Sequence, residues 1–140
     1  MGAQNTNKPA SLGFVVRNFV LPEYYERSEL GQGRTNLLKA LVTGKQAVPQ
    51  ARELYLVEEM RMEHIQPDGR TNLVATAPEC LVDVNRREVS SAKRVQAEGN
   101  GGQLFIEGEG FFCRLTNLHL VISNNVRTVI RREPPRPPKP

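Results

Sequence analysis

Histidine and cysteine, the side chains most often used for catalysis and soft-metal binding, are scarce: the 140 residues contain two of each. His64 and His119 both lie in stretches of alternating polarity and read as surface strand residues, and no serine or cysteine sits in a GxSxG-type nucleophile elbow. Cys80 and Cys113 are 113 − 80 = 33 positions apart, with neither a CxxC pair nor zinc-ligand spacing, so no metal site is expected. Glu107 and Glu109 share one strand face. Beside Gly108 and Gly110 they read as a wet outer surface rather than an acid/base pair. The glycine-rich stretches at 99–102 and 108–110 precede no helix, which removes the phosphate-cradle reading. No catalysis and no cofactor are expected.

Long apolar runs are also missing, and nothing approaches the ~18 residues that a membrane-spanning helix requires. The opening MGAQNTNKPAS lacks the charged-then-apolar layout of a secretory leader, which by itself leaves the compartment open. A concentrated basic stripe is absent too. The net charge is only +4, and the basic residues fall singly along the chain except near its end, at Arg127, Arg131, Arg132, Arg136 and Lys139. Nucleic-acid binders concentrate their charge on one face, so no nucleic-acid partner is expected. No segment has an amphipathic-helix stripe.

What is present is β-structure with a weak repeat. Apolar strands begin at Leu41, Leu73 and Leu104, spaced 73 − 41 = 32 and 104 − 73 = 31 residues apart. Each leads to a small-residue break, at Gly44, Ala77-Pro78 or Gly108, and then into another strand. Such periods mark stacked strand units that bury an apolar face only together. Glu53 to Ile65 alternates at period two, with Leu54, Leu56, Met60 and Met62 on one face, and so reads as a strand rather than a helix. Turns are expected at Val48-Pro49, Gln66 to Gly69, Asn85 to Arg87, Gly99 to Gly102 and Asn124-Asn125. Tyr24 and Tyr25 are expected to pack over one end of the sheet. The count is about nine strands in an all-β domain spanning 11–132, between a disordered segment at 1–10 and a disordered proline-rich tail at 133–140.

The inner face of these strands should be formed by Phe14, Val16, Leu38, Ala40, Leu54, Leu56, Met60, Met62, Leu73, Ala75, Leu104, Ile106, Phe112, Leu118, Leu120 and Ile122. An ordinary sandwich core and an apolar groove both fit this set. Flexible methionines and glycine-kinked strands favour the groove, which would hold acyl chains at roughly 0.8 kcal/mol per buried methylene. The cysteine offsets within their repeats share parity, so on neighbouring strands both thiols would face one way. A Cys80–Cys113 disulfide and two buried free thiols both remain open, since diagonal neighbours are slightly too far apart for a bridge without adjustment.

The stretch DGRTNLVATAPECLVDVNRREVSSAKRVQ, followed by GGQLFIEGEGFFCRLTNLHLVISNNVRTVI, resembles the OstA-like proteins of lipopolysaccharide export, the periplasmic LptA/LptC group. The matching pieces are Leu73-Val74-Ala75, Val82-Asp83, Gly101-Gly102 and Gly108-Glu109-Gly110, within roughly residues 37–131. The resemblance implies an open β-jelly roll, a folded-over antiparallel sheet whose groove holds lipid A acyl chains. It further implies a periplasmic location, reached by a leader or anchor not included in this sequence. Lipopolysaccharide or a related lipid, other jelly-roll proteins joined by edge-strand addition, and further copies of the chain are then the expected partners. Arg127, Arg131 and Arg132 would be available for lipid phosphates. A β-sandwich interaction module without lipid cargo is the rival expectation.

Overall fold

A computed structural model describes residues 13–30 and 37–131. The terminal segments expected to be disordered, and Arg132, lie outside the described residues. The elements are β1 (Val16–Tyr24), a one-turn helix α1 (Arg27–Leu30), β2 (Leu38–Ala51), β3 (Leu54–Ile65), β4 (Thr71–Asp83), β5 (Glu88–Gly99), β6 (Leu104–Arg114) and β7 (His119–Ile130). The seven strands form one antiparallel sheet in chain order, β1 to β7. The all-β, open jelly-roll expectation holds.

The strands number seven rather than nine because several expected boundaries are bends within longer strands. A line of gaps in the pairing crosses the whole sheet, passing Asn18 on β1, Gly44-Lys45 on β2, Glu59 on β3, Pro78 on β4, Ala92-Lys93 on β5, Gly108 to Gly110 on β6 and Asn125-Val126 on β7. The register is unchanged across it from β1 to β4 and shifts by one residue at each pair from β4 to β7. Asn18, Glu59, Gly110 and Asn125 on this line have positive φ, a left-handed conformation that bends the strand there. Asn124-Asn125, expected to be a tight turn, is therefore the crease of β7. Val48-Pro49 does not turn either; β2 runs on to Ala51, and the turn falls at Arg52-Glu53, where Glu53 takes φ 65°. The small-residue breaks read from the repeat, Gly44, Pro78 and Gly108, all lie on the crease line.

Folding along this line puts the two halves of each strand in facing layers around one core. One layer holds the strand halves that meet at the turns near 52, 85 and 116; the other holds the halves ending near 24, 66 and 100. Contacts between the layers hold the fold. The Phe19 and Tyr55 rings lie 5.7 Å apart. Arg87, in the β4–β5 turn, donates to Glu23 Oε1 at 2.8 Å and also to the Pro22 carbonyl. Lys39, only 6% exposed, donates from Nζ to the Thr116 carbonyl at 2.6 Å and to Glu29 Oε2 at 2.8 Å, and lies 5.5 Å from the centre of the Tyr25 ring.

Each strand also switches at the crease which of its side chains face inward. On β3, Met60 and Met62 point into the core beyond Glu59, but before it Tyr55 and Val57 do so. Leu54 and Leu56 therefore stand on the outer face, where Leu56 is registered with the 38%-exposed Leu81. Period-two continuation across the crease put them on the wrong side. Phe112 is turned outward in the same way: beyond Gly110 the inward residues are Phe111 and Cys113, while Phe112 pairs with exposed Val121.

Candidate functional site

Where the layers diverge they leave a cleft of about 270 Å³. Its floor comes from Met62 and His64 on β3, Asn72 and Leu73 on β4, Gly99 at the end of β5, Asn100 just beyond it and Leu104 on β6. Its roof is Cys113 on β6 with Leu118 and Leu120 at the start of β7. The floor is one register row, His64 to Leu73 to Gly99 to Leu104, that runs on to Ile130 of β7. At the opposite end of this row His64 is registered with Ala40 of β2, beside Tyr25 and the Lys39–Glu29 pair.

Of the residues expected on the inner face, Met62, Leu73, Leu104, Leu118 and Leu120 line the cleft. Ala40, Met60 and Ala75 are fully packed in the core, and Val16, Ile106 and Ile122 pack against it. Leu38 is half-buried at the start of β2, opposite Tyr24. Phe14, 53% exposed ahead of β1, does not reach the interior. Arg127 is 69% exposed on the outer face, where its guanidinium lies 3.6 Å from Glu107, and Arg131 is exposed just past β7. Glu107 also pairs with Arg94, so this carboxylate anchors an outer-face ion cluster. A larger, shallower hollow, lined by Glu59, Arg61, Pro78 and Arg94 among others, lies on the outside of the crease. It is not enclosed by the two layers.

The polar members of the cleft were not read from the sequence as part of it. His64 had the required signal, since it shares the inward parity of Met62; only its polarity argued for the surface. Tyr25 Oη donates to the Ile65 carbonyl at 2.8 Å and lies 3.4 Å from His64 Nε2, while Asn72 Nδ2 lies 3.2 Å from His64 Nδ1. With its proton already donated, Tyr25 Oη accepts from Nε2–H, which leaves Nδ1 to accept from the Asn72 amide. Tyr25 thus packs over the sheet end as expected, while Tyr24 is 50% exposed.

Burial, and secondarily the charge of Lys39, holds the His64 imidazole below its ordinary range. The unfolded chain then binds the extra proton more readily below about pH 6.5, so stability present above that value is lost as pH falls through the folded pKa. Melting temperature is expected to drop between about pH 7.5 and about pH 5.5, and His64→Gln should flatten that part of the curve. An unchanged profile in the variant would show that His64 does not gate the transition.

Cys80 and Cys113 are free and buried. Both face inward, as their parity implied, but they are not on adjacent strands. Cys113 is registered with Val89 of β5, and Val89 in turn with Val82 of β4, so β5 separates the thiols. Two strand spacings of ~4.8 Å exceed the Cα separation a disulfide allows. Burial pushes the Cys80 thiol up to about 12, with Glu79 adding to the effect, and burial pushes Cys113 up to about 11. Neither should react with an aromatic disulfide reagent at about pH 8 until the protein unfolds, when two thiols should titrate. Rapid labelling of the native protein would contradict this placement.

No family model matches the sequence, and a comparison with curated proteins finds no match. Among solved structures, this chain is similar to LptH, the LptA-homologous periplasmic component of the conserved lipopolysaccharide transport device from Pseudomonas aeruginosa, with a TM-score of 0.54 and 13% identity. The match covers 85% of this chain and 94% of that one. At this identity the likeness is one of architecture: the chain has the folded-over β-jelly-roll fold of the LptA type.

Proposed function

We propose that this chain is a non-enzymatic periplasmic lipid carrier in the transport of lipopolysaccharide or a related lipid. In this reading the cleft between the layers holds acyl chain while the polar outer faces stay in water. The observation that supports it most is the cleft itself, lined mainly by Met62, Leu73, Leu104, Leu118 and Leu120, in a sheet of the LptH type. Bridging to other jelly-roll domains, or to further copies, would use the edge strands. Among the described residues β1 and β7 each have one unpaired side, a template for strand addition. They carry exposed apolar side chains, Val20 on β1 with Phe14 and Val15 just ahead of it, and Val126 and Ile130 on β7.

The test is site-specific photocrosslinking to lipopolysaccharide, with the crosslinker at position 62, facing the cleft, or at neighbouring position 61, facing outward. Crosslinks at 62 and none at 61 are expected. The reverse pattern, or none at either site, would sink the carrier reading. It would favour the second one, an interaction module with a dry interior, which draws support from a core whose residues are mostly 0–5% exposed.

A further inference from the structure

Three polar residues interrupt the apolar lining of the cleft, His64 on β3, Asn72 on β4 and Asn100 in the turn after β5, and the first two are neighbours, 3.2 Å apart. Both imidazole nitrogens are engaged, one toward Tyr25 and one toward Asn72. The Asn72 side chain uses one amide N–H on His64 and makes no other hydrogen bond to a described residue. Its Oδ1 acceptor and its second N–H therefore remain for whatever occupies the cleft. A polar group placed in an apolar hollow gains by meeting a polar partner and costs free energy otherwise.

Two further features narrow that partner. The first is capacity. At about 30 Å³ for a group the size of a water or a methylene, 270 Å³ holds on the order of nine such groups, the length of one short chain rather than a bundle of chains. The second is charge. Lys39 is the cation whose field reaches His64, but its ammonium is already held by Glu29 and Thr116 above the Tyr25 ring. An anionic head would have to displace Glu29 to reach it.

Building on the acyl-chain reading above, we propose that the cleft takes a single acyl chain carrying an uncharged oxygen, a hydroxyl or an ester carbonyl, which hydrogen-bonds to Asn72 beside His64. Tyr25 is the positioning residue that holds His64, and through it Asn72, against the cleft wall. Apolar length supplies affinity, and Asn72 selects chains whose oxygen falls at that depth.

The experiment uses the full chain and displacement of anilinonaphthalene sulfonate by three probes of matched length: octanol, nonane and octanoate. Octanol is expected to bind at least as tightly as nonane to the wild type, and octanoate more weakly than octanol. In Asn72→Leu the ratio should move toward nonane by about tenfold or more, because the hydroxyl then loses the partner at that depth. Nonane binding tenfold tighter than octanol in the wild type would overturn the proposal while leaving the lipid cleft standing, and this comparison decides even if the variant fails to fold. Octanoate binding tighter than octanol would likewise overturn it, by locating an anion at Lys39. Failure of all three probes to displace the reporter would remove the acyl-chain reading itself.

Discussion

Gly108→Val is expected to destabilise the protein by about 3 kcal/mol or more, the largest effect of any single glycine substitution along the crease. A Cβ at Gly108 would overlap Ile122 Cγ2 and sit 2.9 Å from the Asn124 carbonyl oxygen. Ile122 could change rotamer. The carbonyl belongs to the backbone of β7 at the point where Glu109 pairs with Asn124, and it cannot retreat without opening the β6–β7 ladder. Gly99→Ala is the control. A Cβ there meets nothing closer than 3.5 Å, and the backbone is extended at φ −134°, so a change within about 1 kcal/mol is expected. Urea midpoints at constant slope measure both. If Gly108→Val falls within about 1 kcal/mol of the wild type, the fold does not depend on the close approach of β6 and β7 at the crease.

Leu73→Trp is expected to lower affinity for an apolar ligand by at least about 100-fold while changing stability far less. Leu73 sits mid-floor, and the indole adds six non-hydrogen atoms to a cleft with room for on the order of nine. Each methylene excluded forfeits roughly 0.8 kcal/mol, so losing three or four already amounts to two orders of magnitude. Leu56→Trp is the matched control, because Leu56 lies on the outer face registered with Leu81. Equal loss in both variants would mean that the ligand does not enter between the layers. Unchanged binding in Leu73→Trp would mean that it does not use this cleft.

These two substitutions also mark where sequence reading succeeded and where it stopped. Gly44, Pro78 and Gly108 could be picked out as breaks because small residues and proline interrupt apolar runs at a repeating interval, and a repeating interruption in a sheet is a crease. The face assignments failed just beyond those breaks. Leu54, Leu56 and Phe112 were placed inside by continuing a period of two, whereas the positive-φ residues Glu59 and Gly110 each shift the count by one. Nothing about Glu59 advertises the switch, which falls where β3 leaves its pairing with both β2 and β4 at once. The cleft's polar end was missed for a related reason. His64 and Asn72 look like surface residues in isolation, and only the adjacency of β3 and β4 brings them together.

Composition and alternation alone determined that the chain is all-β and that its strands bend at small residues. Those properties are local, because they depend on side-chain period and backbone freedom within a few positions. The tertiary structure decided that nine apparent strands are seven creased ones, that β5 separates Cys80 from Cys113, and that the layers part around His64, Asn72 and Leu73. Each of those depends on register between strands, which is set by pairing partners tens of residues away rather than by the residues themselves.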